Sequence, residues 1–125
     1  MGTNQIRIVG TGFLFLFTLI SGFWLSRSGK PFNVIILTIH KLTSLAAAVL
    51  LGIVIYRINQ VAPLRTIELA AGVVTGLFFL DAVVSGGLLS IGKPMPAVIL
   101  TMHRITPFLT VLSAAVTLYL LLSRK

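Results

Sequence analysis

Four apolar stretches, each long enough to cross a lipid bilayer, take up most of this 125-residue chain. A spanning helix needs about 20 mostly apolar residues, because the hydrocarbon core is roughly 30 Å thick. No water reaches the backbone there, so every N–H and C=O must be satisfied within the segment, and stretches of this length are helices. The runs are predicted over about 6–25, 32–56, 66–89 and 96–122. Gly29 and Pro31 separate the first two, a turn over residues 59–63 separates the middle two, and a loop over residues 90–94 precedes the last. Charged residues make up 10% of the chain, against about 25% in a soluble domain. The expectation is an all-α transmembrane four-helix bundle, a single integral membrane domain over residues 1–125 with short loops.

One stretch occurs twice. Residues 29–43 read GKPFNVIILTIHKLT and residues 92–106 read GKPMPAVILTMHRIT, with 8 of 15 positions identical. The offset is 63, and it sets the only two histidines, His40 and His103, in register. Around the first and third helices the same relation holds at an offset of 64: Thr11-Gly12 matches Thr75-Gly76, and Ser21-Gly22 matches Ser85-Gly86. The unit is therefore a helical hairpin used twice, over about 6–58 and 66–122. Two helices per unit keep both copies in one orientation, which places a pseudo-two-fold axis along the membrane normal. The basic start followed by an apolar run resembles a signal peptide, but its counterpart in mid-chain makes it a structural helix. Gly12, Gly22, Gly72, Gly76, Gly86 and Gly87 on the first and third helices suit close helix contact, and they also leave room for a flat cofactor.

The formal charge of +8 does not point to nucleic acid, because the basic residues are dispersed, most of them at helix ends and loops, and form no stripe with interleaved aromatics. Arg7, Arg57, Arg65, Arg124 and Lys125 lie on the face with the termini, against Arg27, Lys30 and Lys93 on the Gly-Lys-Pro face. The positive-inside rule then puts both termini in the cytoplasm. The absence of cysteine excludes thiolate metal sites, iron–sulfur clusters and covalent haem attachment.

His40 and His103 each lie about 12 Å into their helices at 1.5 Å per residue. Neutral imidazoles at matched depth on parallel helices suit axial ligation of one haem from both sides. On each histidine's own face, three, four and seven residues further on, stand Thr43, Ser44 and Ala47 in one helix and Thr106, Pro107 and Thr110 in the other. None is large, so a flat ring finds space beside them; Pro107 should also bend its helix. Lys41 and Arg104 follow the histidines. A cation in a membrane is costly and usually functional, and both heads should snorkel towards the loops, where Lys30 and Lys93 add charge suited to haem propionates. Asp81 is the one acid well inside a span, level with the histidines and too little to balance both cations. Zinc is disfavoured, since a closed site wants four ligands.

On these features the chain resembles the four-helix membrane b-type cytochromes of respiratory and ferric-reductase membrane subunits. The resemblance covers the architecture and the paired histidines. Those proteins often hold two haems on four histidines; the two here imply one haem b per chain, with His40 and His103 as the iron's axial ligands. An electron-transfer protein or subunit is favoured over a stand-alone enzyme, because two axial histidines leave iron no open position for substrate. Implied partners are the bilayer, a quinone or another redox protein, and further copies or subunits of a larger complex.

Three other readings compete. The two histidines could bond backbone carbonyls and merely hold helices together. Asp81 with Lys41 or Arg104 could form the midplane site of a small transporter. Each histidine could instead ligate its own pigment ring in a structural subunit.

Overall fold

The computed structural model describes residues 2–29, 32–91 and 93–124. Lys30, one of the loop cations expected at the propionates, lies outside the described residues. Four helices follow in order: α1 (Thr3–Ser28), α2 (Val34–Val61), α3 (Thr66–Leu89) and α4 (Ala97–Leu122). All four are long and apolar enough to cross a membrane, with mean hydropathy of 2.0 to 2.1 over their spanning windows. Large apolar side chains such as Phe13, Phe23, Leu77 and Leu112 are exposed on their outer faces, as expected of surfaces that meet lipid.

The helix ends follow from local chemistry. The Gln5 side chain accepts the N–H of Gly2 ahead of α1. The Asn33 side chain accepts the N–H groups of Ile35 and Ile36 at the start of α2, satisfying donors that have no partner within the helix. Gly29 closes α1 at φ +71°, a backbone conformation that disfavours a Cβ. α2 runs five residues past the predicted end at residue 56. Its stop is set by Pro63, which holds Ala62 in an extended conformation at φ −151°, ψ 133°. The Asn59 side chain, expected in the turn, sits on the last helical turn and accepts the Leu64 N–H at 3.1 Å.

The repeat appears as two hairpins, α1 packed on α2 and α3 on α4. The hairpins meet along α1 and α4, whereas α2 and α3 barely touch. The two-fold relation predicted from the repeat would make these seams equivalent, and they are not. Gly12 on the close seam faces Leu118, 3.6 Å from where a Cβ would stand. On the open seam a cleft of about 180 Å³ lies between Phe15, Leu51, Ile55, Gly72 and Phe79.

Packing divides the bundle along its length. The apolar core comprises Ile8, Phe15, Ala47, Leu51, Val54, Ile58, Ala114, Leu118 and Leu121. All of it lies from mid-bundle towards the termini and the α2–α3 turn. In the half towards the Gly-Lys-Pro loops the buried residues are Ser21, Leu25, Ser85 and Thr106, and α2 buries none before Ala47. Lipid removes the hydrophobic drive between helices, so packing and interhelical hydrogen bonds must hold them. Thr75 of α3 and Thr117 of α4, both fully buried, share such a bond at 3.1 Å.

Candidate functional site

Both histidines lie in the half that lacks an apolar core, each half-buried and each held by its own hairpin. His40 Nδ1 is 2.9 Å from Ser21 Oγ and 3.0 Å from the Thr18 carbonyl oxygen on α1. His103 Nδ1 is 3.0 Å from Ser85 Oγ on α3. Ser21 and Ser85 are equivalent positions of the repeat. The serine hydroxyls are already committed as donors: Ser21 to the Thr18 carbonyl at 2.9 Å, Ser85 to the Asp81 carbonyl at 2.8 Å. With each serine proton directed to a carbonyl, Nδ1 of each ring donates to the serine oxygen, and Nδ1 of His40 also to the Thr18 carbonyl, which can only accept. In a neutral imidazole Nε2 then keeps its lone pair, and no hydrogen bond engages either Nε2 among the described residues.

The glycines beside the serines complete each cradle. A Cβ on Gly22 would stand 2.8 Å from His40 Cε1, and one on Gly86 would stand 2.6 Å from His103 Cε1. The space that these two glycines leave is taken by the imidazole edges rather than by helix backbone. Sequence reasoning registered Ser21-Gly22 and Ser85-Gly86 as a repeat match and as packing residues, but did not join them to the histidines. The signal was present: a serine-glycine pair in the same register as each histidine.

The remaining candidates fall into three groups. Thr43, Ser44 and Thr110 turn their hydroxyls back to carbonyls of their own helices, Thr43 to Ile39 and His40, Ser44 to Lys41, and Thr110 to Thr106. Ala47 is fully buried in the apolar core, and Thr110 is also buried, so the packed half begins about two turns below the histidines. Thr106 reaches across instead, donating to Asp81 Oδ2 at 2.7 Å. Asp81 therefore sits about a turn deeper than Ser85, the residue level with His103. Pro107 lies inside α4 and has no N–H to give the carbonyl of His103 four residues back.

The cations lie outermost. Lys41 Nζ donates to Ser90 Oγ at 3.0 Å, at the loop end of α3, so its head extends towards the Gly-Lys-Pro face as snorkelling requires and bridges the open seam. Arg104 and Lys93 are exposed and make no bond among the described residues. No bond joins Asp81 to Lys41 or Arg104, the pair a transporter site would use. Among the described residues no group of three or more histidine, cysteine, aspartate or glutamate side chains is assembled to hold a bare metal ion.

A second polar cluster, at the opposite end, went unnoticed in the sequence. Glu68, in the first turn of α3, is fully buried. Its Oε1 accepts the Arg65 N–H at 2.8 Å and the Arg65 Nε at 3.1 Å, and lies 3.5 Å from Arg124 Nη1. Arg124 Nη2 also donates to the carbonyls of Ala62 and Pro63 at 3.1 Å each. The cluster ties the end of α4 to the α2–α3 turn. Arg124 stands 56 residues from Glu68, and no local spacing in the sequence signals such a contact. Compared with protein-family models, with curated proteins and with solved structures, the chain has no match.

Proposed function

We propose that this chain is a membrane b-type cytochrome that binds one haem between His40 and His103 and passes single electrons within the membrane. The observation that carries this reading is the pair of equivalent cradles. Each fixes an imidazole through Nδ1 and leaves the Nε2 lone pair uncommitted, which is the second-sphere arrangement that orients a ligating histidine. What favours a ligating pair over histidines that only hold helices together is the uncommitted Nε2 at the matched position of both hairpins. Two nitrogens suffice for axial ligation of haem iron, so a larger cluster of ligating side chains is not required. The haem, when bound, would supply the one-electron couple. The residues present fit it in charge: Lys41 reaches Ser90 on the loop side of the histidines, Lys93 lies in the loop, and Arg104 adjoins His103, so two propionates would meet cations there. Two axial imidazoles favour electron transfer over oxygen chemistry, with a quinone or another redox protein as exchange partner. The excess of basic residues on the terminal face supports a cytoplasmic location for both ends, which reporters fused to either end would check.

The test is the reduced-minus-oxidised spectrum of the purified protein, with haem measured per chain. One low-spin b-type haem per chain is expected. No haem after expression with ample haem supply, or two haems per chain, would overturn the single-site reading. A chlorophyll-type spectrum would instead establish the pigment alternative.

A further inference from the structure

The terminal end of the bundle treats its two hairpins differently. In the second, Glu68 and Arg124 form an ion pair at 3.5 Å. The repeat-equivalent positions in the first hairpin are Asn4 and Val61, so that internal ion pair has no counterpart. Instead the first hairpin places Arg7 on α1 and Arg57 on α2 at one end of a groove of about 760 Å³. Their equivalents in the second hairpin are Ala71 and Leu120. Neither guanidinium has a hydrogen bond or ion pair among the described residues, and no acid lines the groove.

The groove changes character along its length. Arg7 and Arg57, with Tyr56 and Gln60, lie at its interfacial end, while Val49 and Ile53 line it towards the bilayer centre. Gly52 is between them, and a Cβ there would meet nothing within 4 Å. From residue 49 to residue 60 an α-helix rises about 16 Å, the reach of an acyl chain. Two unpaired cations above an apolar trough between spanning helices match a phosphate with a hydrocarbon tail, and basic pockets between helices recognise anionic headgroups in this way.

We propose that this groove binds one anionic phospholipid of the leaflet on the terminal side. Arg7 and Arg57 hold its phosphate, and one acyl chain lies along Val49, Gly52 and Ile53. The choice of an anionic over a zwitterionic lipid rests on the two cations, and the choice of a lipid over free phosphate rests on the trough.

Native mass spectrometry of the full chain, equilibrated with equal phosphatidylglycerol and phosphatidylcholine, tests this independently of any haem. Retention of one phosphatidylglycerol per chain is expected, with a preference of roughly 30-fold if each arginine contributes as a juxtamembrane cation does. R7Q/R57Q should bring the two lipids to near parity, whereas R27Q, which removes an arginine stacked on Phe23 at the other end, should leave the preference intact. G52F should lower retention of the lipid while keeping both charges. A preference unchanged in R7Q/R57Q, retention unchanged in G52F, or full displacement of the lipid by millimolar inorganic phosphate would each overturn the proposal.

Discussion

The two hairpins hold their histidines with the same serine and glycine contacts and surround them differently. Both donate Nδ1–H to a serine hydroxyl and both rest Cε1 on a glycine, and His40 also reaches the Thr18 carbonyl. Only the second adds a carboxylate: Asp81, at the position equivalent to Phe17, accepts from Thr106. The equivalent of Thr106, Thr43, bonds back to its own helix. Pro107, which replaces Ser44, removes one N–H from the turn beside His103. What the repeat preserved is the geometry of the imidazole, and what it let diverge is the charge next to it. A cofactor held between the hairpins would therefore have two similar ligands in unlike electrostatic surroundings.

The largest effect that bears on this comparison is removal of the rings. His40→Ala and His103→Ala should each abolish the six-coordinate low-spin spectrum, with similar severity, while the protein still inserts. An unaltered spectrum in either variant would remove that histidine from the ligand set. Next come the glycines. Gly22→Ala and Gly86→Ala force a methyl group to within 2.8 and 2.6 Å of the ring, and overpacking of this kind costs about 1–3 kcal/mol. Thermal unfolding in detergent should show both losses, that of Gly86→Ala the greater. Equal stability of these variants and the wild type would mean that the rings are not seated as described.

Thr106→Val against Thr43→Val isolates the difference between the hairpins. The first strips a donor from a carboxylate oxygen inside the membrane, at about 1–3 kcal/mol. The second removes only a bond back to the helix and should be near neutral. Matching losses in the two variants would show that Asp81 does not distinguish the sites. A smaller effect than at Thr106 is expected at the serines. Ser21→Ala and Ser85→Ala each remove one interhelical bond, so each should cost about 0.6 kcal/mol, the mean for such a bond in a membrane. A loss of the low-spin spectrum in Ser21→Ala would mean that the hydroxyl, not the Thr18 carbonyl, sets the tautomer of His40.

The helix count, the hairpin repeat and the matched depth of His40 and His103 were all legible in the sequence, because the bilayer admits one backbone solution for such runs and because an offset between copies needs no coordinates. The end of α2 was misplaced by five residues, since Asn59 and Gln60 look like turn residues. The proline that ends the helix acts through Ala62, with Asn59 capping from within the last turn. Snorkelling of Lys41 was predictable from the direction in which helical side chains lean; its acceptor, Ser90 just past the end of α3, was not.

The sequence by itself determined the solvent, the elements and the equivalence of the two halves, all of which follow from hydropathy and spacing along one chain. Only the tertiary structure decided which atoms face one another. It joined Ser21-Gly22 to His40 and Ser85-Gly86 to His103, 18 to 19 residues away for the serines. It also closed the α1–α4 seam and left the α2–α3 seam open, and it buried Glu68 under Arg124 from 56 residues further along the chain. Helix-to-helix rotation and offset govern these contacts. Four helices that are apolar all round carry little amphipathic signal to specify them, so they are set by where small side chains allow close approach and where polar groups can find a partner away from water.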